Sequence, residues 1–311
     1  MIKPFLTYQQ QIQKLMDEKC LIIKDTAFAA EKLQDLGYFN LIGGYKHPFR
    51  NKMTRIYIKN TTFEDVYALY QFDDQLRELF LKYLCQIEMK VRSLLSYAFC
   101  EQHGESQSSY LNVLNYNYSR KNQQGIHRLI QLLSKLANEN TDYEYLIYQR
   151  RVYHNVPLWV LVNALTFGQL SKMYFFLPTQ IQGKISRCFS HVNEHELGQY
   201  LKVLVLYRNI CAHNERLFTN KVYSEIPNTI LHQKLGISQT GSQYVCGKRD
   251  LFCVVIAFRY LLPKRDFLVF KRQLVIQIEK YLKGSQRISE SLLLDMMGFP
   301  KNWKAITRYK I

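Results

Sequence analysis

The sequence predicts a mostly α-helical protein with a small N-terminal lobe of mixed α/β, winged-helix-like character. Three observations carry that expectation. Apolar residues recur every three or four positions along most of the 311-residue chain, as they do on helices that bury one face. Seven prolines and thirteen glycines are too few for a loop-rich fold. Capping signatures precede several periodic runs and mark where helices begin. With 47% hydrophobic residues, the chain can bury a substantial core, as one large domain or as a core plus a smaller lobe.

In order, Thr7-x-x-Gln10 is a capping box opening a helix with Ile12, Leu15 and Met16 to about Lys19. Asp25 caps a second short helix, with Ala29, Ala30, Leu33 and Leu36 inward and Gly37 at its end. Tyr38 to Leu41 and the Gly43-Gly44 pair make a turn, and Arg55-Ile56-Tyr57-Ile58 alternates like a strand. These pieces predict the lobe over residues 1–60, of a kind that binds nucleic acid as often as it braces a neighbour.

Thr61 to Asp65 opens a long helix to about Gln102, with Phe72, Leu76, Leu79, Tyr83, Ile87, Val91, Leu94 and Ala98 on one face. Glu88 and Arg92 lie four apart in its middle. They are either a surface pair worth only a few tenths of a kcal/mol or, given their apolar neighbours, partly buried. Residues 103–125 read as a polar connection, Ile126 to Leu136 as a helix, and Asp142 as the cap of another to about Val152. Pro157 fits the first turn of a buried helix that Gly168 breaks before Leu170, Met173, Tyr174 and Leu177 continue. Its Trp159 reads as core or a dimer contact rather than a base-stacking platform.

Pro178 starts a further element, and Asn193-x-x-Glu196 caps a helix that passes His213 and frays near Phe218. Residues 219–248 turn polar and read as a mobile insertion. An apolar helix from Leu251 to Leu262, stopped by Pro263, and an amphipathic one from Phe267 to Leu282 follow. Residues 61–311 are thus expected to form the helical domain, with a basic C-terminal extension from about 228.

The net charge of +17 is uneven: +5 over residues 1–60, +2 over 61–227 and +10 over 228–311. A basic surface of this size favours a polyanion such as RNA, with general solubility or an acidic membrane as the plainer alternatives. Lys248, Arg249, Lys264, Arg265, Lys271 and Arg272 are the candidate RNA contacts. Seven cysteines, odd in number and without a Cys-x-x-Cys pair, predict reduced cytoplasmic thiols rather than disulfides or zinc. Met1-Ile2-Lys3-Pro4 leads straight into glutamines, which predicts no secretory leader. The apolar run Leu251 to Phe258 is far short of the ~20 residues of a membrane span. No Gly-rich phosphate loop, His-Glu-x-x-His, Gly-x-Ser-x-Gly or carboxylate cluster is present, so neither cofactor nor metal is expected. His191 and His195 are four apart but lack further ligands in the sequence.

One stretch carries chemistry. Tyr207 to Arg216 closes the apolar run Leu197 to Leu206 and sets Arg208, Asn209 and His213 within six residues. Metal-free RNA cleavage must deprotonate a 2′-hydroxyl, offset phosphate charge and protonate a leaving oxygen. A histidine exchanges protons near neutral pH, and a guanidinium holds two phosphate oxygens at once. Asn209 and His213 share a helical face, while Arg208 stands roughly 140° round from His213. An Arg-x4-His spacing alone is expected roughly 0.4 times by chance in such a composition, so the apolar helix in front gives the motif its weight. Arg120 to His127 has a similar spacing but no such helix ahead of it.

Arg208-Asn209-x-x-x-His213 resembles the Arg-x4–6-His signature of HEPN ribonucleases. Further blocks resemble the Abi-like abortive-infection family of the AbiD/AbiF type. They are Lys3-Pro4 to Gln11-Ile12, Tyr38 with Gly44-Tyr45, Ile87-Glu88 with Arg92, Pro157-Leu158-Trp159, Thr166-Phe167-Gly168, Cys211-Ala212-His213 with Arg216, and the ending Met297 to Trp303. The resemblance implies a HEPN-type helical bundle, with Glu88 and Arg92 packed against the Arg208-His213 helix and Arg216 supporting the site. It also implies a homodimer that pairs two Arg208-His213 sets, and in some members restraint by a structured noncoding RNA. The expected function is a metal-independent endoribonuclease toxin against phage that leaves 2′,3′-cyclic phosphates. The competing expectation is an RNA-binding scaffold of the same fold without turnover.

Overall fold

The computed structural model describes residues 4–139, 142–285 and 287–311. Met1, Ile2 and Lys3, used in the N-terminal readings above, lie outside the described residues.

Helix α1 (Tyr8–Asp17) begins at the expected capping box: Gln10 N–H donates to Thr7 Oγ1 at 3.3 Å, and Thr7 N–H to Gln10 Oε1 at 2.9 Å. Asp25 caps α2 (Thr26–Leu36), which stops at Gly37, where φ is +76°. A π-helical turn over Phe39–Gly43 follows. The strand expected at 55–58 is reduced to isolated bridges, Arg50 with Tyr57 and Ile22 with Thr62. Arg55 adopts φ +58°, which breaks extended backbone, and Asn51 Oδ1 accepts from the Met53 and Thr54 amides to close a turn instead. Among the described residues the N-terminal region is therefore mainly helical, with isolated bridges where the strand was expected. It packs through Phe28 against Phe63 and Tyr67.

Helix α3 (Phe63–His103) runs 41 residues from a reciprocal Thr62–Asp65 cap to Gly104, as the periodicity predicts. After it come α4 (Gln107–Tyr110), α5 (Gln123–Asn138), α6 (Glu144–Tyr153), α7 (Leu158–Leu161), α8 (Phe167–Phe176), α9 (Thr179–Ser186) and α10 (Glu194–Ala212). The chain closes with α11 (Ile230–Lys234), α12 (Leu251–Leu261), α13 (Lys264–Gly284) and α14 (Glu290–Met297). Helix α3 is the axis: α7, α8, α9, α10 and α13 all pack on it. The only sheet among the described residues is a hairpin of β1 (Gln239–Thr240) and β2 (Gln243–Tyr244).

Several boundaries differ from expectation, each for a local reason. Helix α5 already includes Gly125, where the Phe176 ring would lie 2.3 Å from a Cβ. Asp142 precedes the α6 N-cap, which is Tyr143. The break before α8 falls at Leu165 and not at Gly168, because Thr166 and Gln169 form a capping box that starts a new helix. Trp159 is half exposed and not core. The polar segment 219–248 is no loose insertion, since Ile226, Leu231, His232, Leu235 and Ile237 are buried. Its backbone is also tied to the start of α12 by Val222 N–H to Arg249 O and Ile226 N–H to Lys248 O. Among the described residues no helix is long and apolar enough to cross a membrane.

Candidate active site between α3 and α10

Asn193 and Glu196 cap α10 as expected, but the helix stops at Ala212. Glu215 N–H donates to Ile210 O at 3.0 Å and Asn214 N–H to Cys211 O at 3.4 Å, while Asn214 takes φ +55°. This is a Schellman ending, in which a left-handed residue lets two late carbonyls find donors. His213 is thereby the C-cap, held by its N–H to Asn209 O at 2.9 Å, with its side chain exposed. Asn209 is exposed as well.

Arg208 turns the other way, to α3. Glu88 accepts from Arg92 Nη2 at 2.9 Å through one oxygen and faces Arg208 Nε at 3.4 Å with the other. The contact with Arg208 lacks the alignment of a hydrogen bond, and Nε of both arginines has no hydrogen-bond partner among the described residues. Side-chain exposures of 8% for Glu88, 18% for Arg92 and 30% for Arg208 make this a shielded cluster and not a solvated surface pair. Arg92 Nη2 also donates to Leu165 O at 3.0 Å, a carbonyl freed by the break between α7 and α8. The cluster thus joins α3, α10 and the α7–α8 junction.

The nearby cysteines offer no thiolate. Burial pushes the Cys211 thiol up to about 12. It also raises Cys85, a shift to which Glu88 adds and which Arg208 and Arg92 oppose.

A second buried network anchors the chain just beyond His213. Asp73 accepts from Leu217 N–H at 2.9 Å, Phe218 N–H at 2.7 Å, Tyr45 Oη at 2.7 Å and Arg77 Nη1 at 3.1 Å. Asp73 and Arg77 are almost fully buried. Burial pushes the Asp73 carboxyl up, against Arg77 and its hydrogen-bond donors. No motif spacing marks this network in the sequence. The available signal was a second acid-to-arginine pair at i, i+4 on α3, set among the core residues Phe72 and Leu76, together with a tyrosine after Gly44.

Arg216, expected beside the site, reaches away to donate to Gly44 O at 2.6 Å, so it braces the N-terminal region. Burial holds the His47 imidazole below its ordinary value, and Lys46, Arg216 and Arg50 add to that effect. The six basic candidates divide. Lys248 is spent on Asn228 Oδ1 and Ile226 O, Arg249 on Glu225, and Lys271 on Thr307 Oγ1 and Lys304 O. Lys264, Arg265 and Arg272 are exposed on α13. His191 and His195 are exposed, and among the described residues no three His, Cys, Asp or Glu side chains gather as a metal-holding group.

A family model described as Abi-like protein matches residues 31–219, a span that contains α3, α10 and the whole cluster. No curated protein and no solved structure matches the chain.

Proposed function

The chain belongs to the Abi-like protein family, and from that premise we propose that it is a metal-independent endoribonuclease of the HEPN class, of the AbiD/AbiF type. It would act in abortive infection by cleaving RNA in the phage-infected cell.

The observation that carries this reading is the division of labour at the end of α10. One carboxylate, Glu88, faces two guanidiniums from different helices, while His213 stands exposed at the helix terminus. The arginines supply positive charge where a phosphate gains negative charge, and the shielding by α3 strengthens that effect. His213 would take the 2′-hydroxyl proton or give one to the leaving oxygen. A two-fold homodimer would set two Arg208-His213 pairs across one cleft and so provide both proton transfers. The basic C-terminal region supports an RNA partner, either substrate or a noncoding RNA that restrains the toxin.

The test is cleavage of RNA in EDTA by wild type, Arg208→Ala and His213→Ala, each checked for folding. Cleavage by wild type alone, with 2′,3′-cyclic phosphate ends, is the expected result. Tight RNA binding by all three without cleavage would replace the enzyme with an RNA-binding scaffold.

A further inference from the structure

Helix α6 is anomalous for its place in the molecule. Of its ten residues only Leu146 is buried, yet Tyr145, Ile147, Tyr148, Val152 and Tyr153 stand exposed. An exposed apolar stripe of this kind marks a surface that meets something else. Tyr145, Tyr148 and Val152 follow one another at i, i+3 and i+7, so they share a face. The Tyr148 and Tyr153 rings meet edge to face at 6.0 Å. Arg151 is exposed three residues beyond Tyr148, a neighbouring position on the helix.

The position of this face is equally telling. Helix α6 packs on α7, and the α7–α8 junction supplies the Leu165 carbonyl that holds Arg92. The tyrosine stripe therefore lies on a helix packed against the element whose end holds Arg92.

We infer that the Tyr145–Tyr148–Tyr153 face of α6, with Arg151, is a stacking platform that grips unpaired bases of single-stranded RNA and feeds the strand to the Arg92–Arg208 cluster. Charge favours this occupant over an apolar protein surface, because Arg151 stands exposed between Tyr148 and Tyr153 in the helix. Bases stack on aromatic rings whatever their sequence, and arginines follow the phosphates. The inference rests on the ribonuclease reading and adds its substrate class, unpaired RNA.

The experiment measures binding of a fluorescent oligouridylate and of an RNA duplex of equal length in EDTA, in a His213→Ala background so that nothing is cleaved. Tyr148→Ala and Tyr153→Ala are each expected to weaken oligouridylate binding about five- to a hundred-fold, whereas Tyr148→Phe, which keeps the ring, binds as the parent does. The duplex should bind more weakly than the oligouridylate and be insensitive to both alanine variants. Parent-like binding by the alanine variants would overturn the platform and leave the ribonuclease reading standing. Loss of self-association in those variants, with RNA binding unchanged, would also overturn it and make the face an interface between copies. Absence of any RNA binding by the parent would overturn both readings.

Discussion

Glu88 on α3 faces Arg208 on α10 at 3.4 Å while accepting from Arg92 at 2.9 Å, so a single carboxylate fixes two guanidiniums from different helices. Neither arginine needs the other's company without it, since two cations side by side repel. Glu88→Gln keeps the shape and removes the charge. Cleavage is expected to fall about ten- to a hundred-fold as Arg208 loses its orientation. Stability should fall by only about 1–2 kcal/mol, because both arginines keep some exposure to water. Urea melts and single-turnover cleavage separate the two effects, and an unchanged cleavage rate would show that Arg208 holds its position unaided.

The Asp73 network predicts a different balance. Here the carboxylate accepts four donors with almost no exposure, so Asp73→Asn turns an amide N–H₂ toward donors and should cost about 3 kcal/mol or more. The loss should be local as well as global. Hydrogen exchange at the Leu217 and Phe218 amides is expected to accelerate beyond that of α3, loosening the turn behind His213. Unaltered protection at those two amides would mean that Asp73 serves the core and not the turn.

A pH prediction follows from Gly247, whose N–H donates to Asp250 at 2.9 and 3.0 Å and whose carbonyl meets His232 Nε2 at 2.9 Å. Nδ1 of His232 accepts from Thr229 N–H at 3.1 Å, which places its proton on Nε2. Burial lowers His232 from 6.5 to about 4, so its contribution is whole above 6.5 and lost as pH falls toward 4. Burial raises Asp250 from 3.8 to about 6, so its contribution is whole below 3.8 and lost as pH rises through 6. Between these limits the slopes oppose each other. Asp250→Asn leaves the His232 slope alone, and the variant should lose about 2–3 kcal/mol relative to wild type between pH 6 and pH 4. His232→Gln should shift in the opposite sense. Denaturant titrations at pH 4, 5 and 6 test both signs.

How much of this was legible in the sequence depends on the distance over which each feature is decided. The start and end of α3 fall within a residue of expectation, because Thr62, Asp65 and Gly104 act locally. Glu88 and Arg92 pair as their i, i+4 spacing allows. That Glu88 would meet the Arg208 helix was implied by the family resemblance and not by spacing, since it depends on how α10 lies on α3. The end of α10 lies before the point the apolar pattern suggests because Leu217 and Phe218 prolong that pattern, although their amides are tied to Asp73 and not to a helix. Segment 219–248 reads as loose in sequence because polar residues usually lie at the surface, whereas His232 satisfies its ring inside the fold. Trp159 and the tyrosines of α6 reverse that error, as apolar residues that the fold leaves outside.

The placement of His213 rests on one backbone conformation, and that can be tested without touching the imidazole. Asn214 takes φ +55°, a region open to Gly and tolerated by Asn but strained for branched side chains. Asn214→Gly should therefore keep the Schellman ending and cleave within about two-fold of wild type. Asn214→Val should lose roughly 1–2 kcal/mol of stability. Its cleavage should fall further than that loss explains at a temperature where the protein is fully folded, since the C-cap no longer presents His213 beside Arg208's helix turn. A valine variant that melts earlier yet cleaves at the wild-type rate would show that His213 finds its working position independently of the cap. The Schellman ending would then be a stabilising feature only.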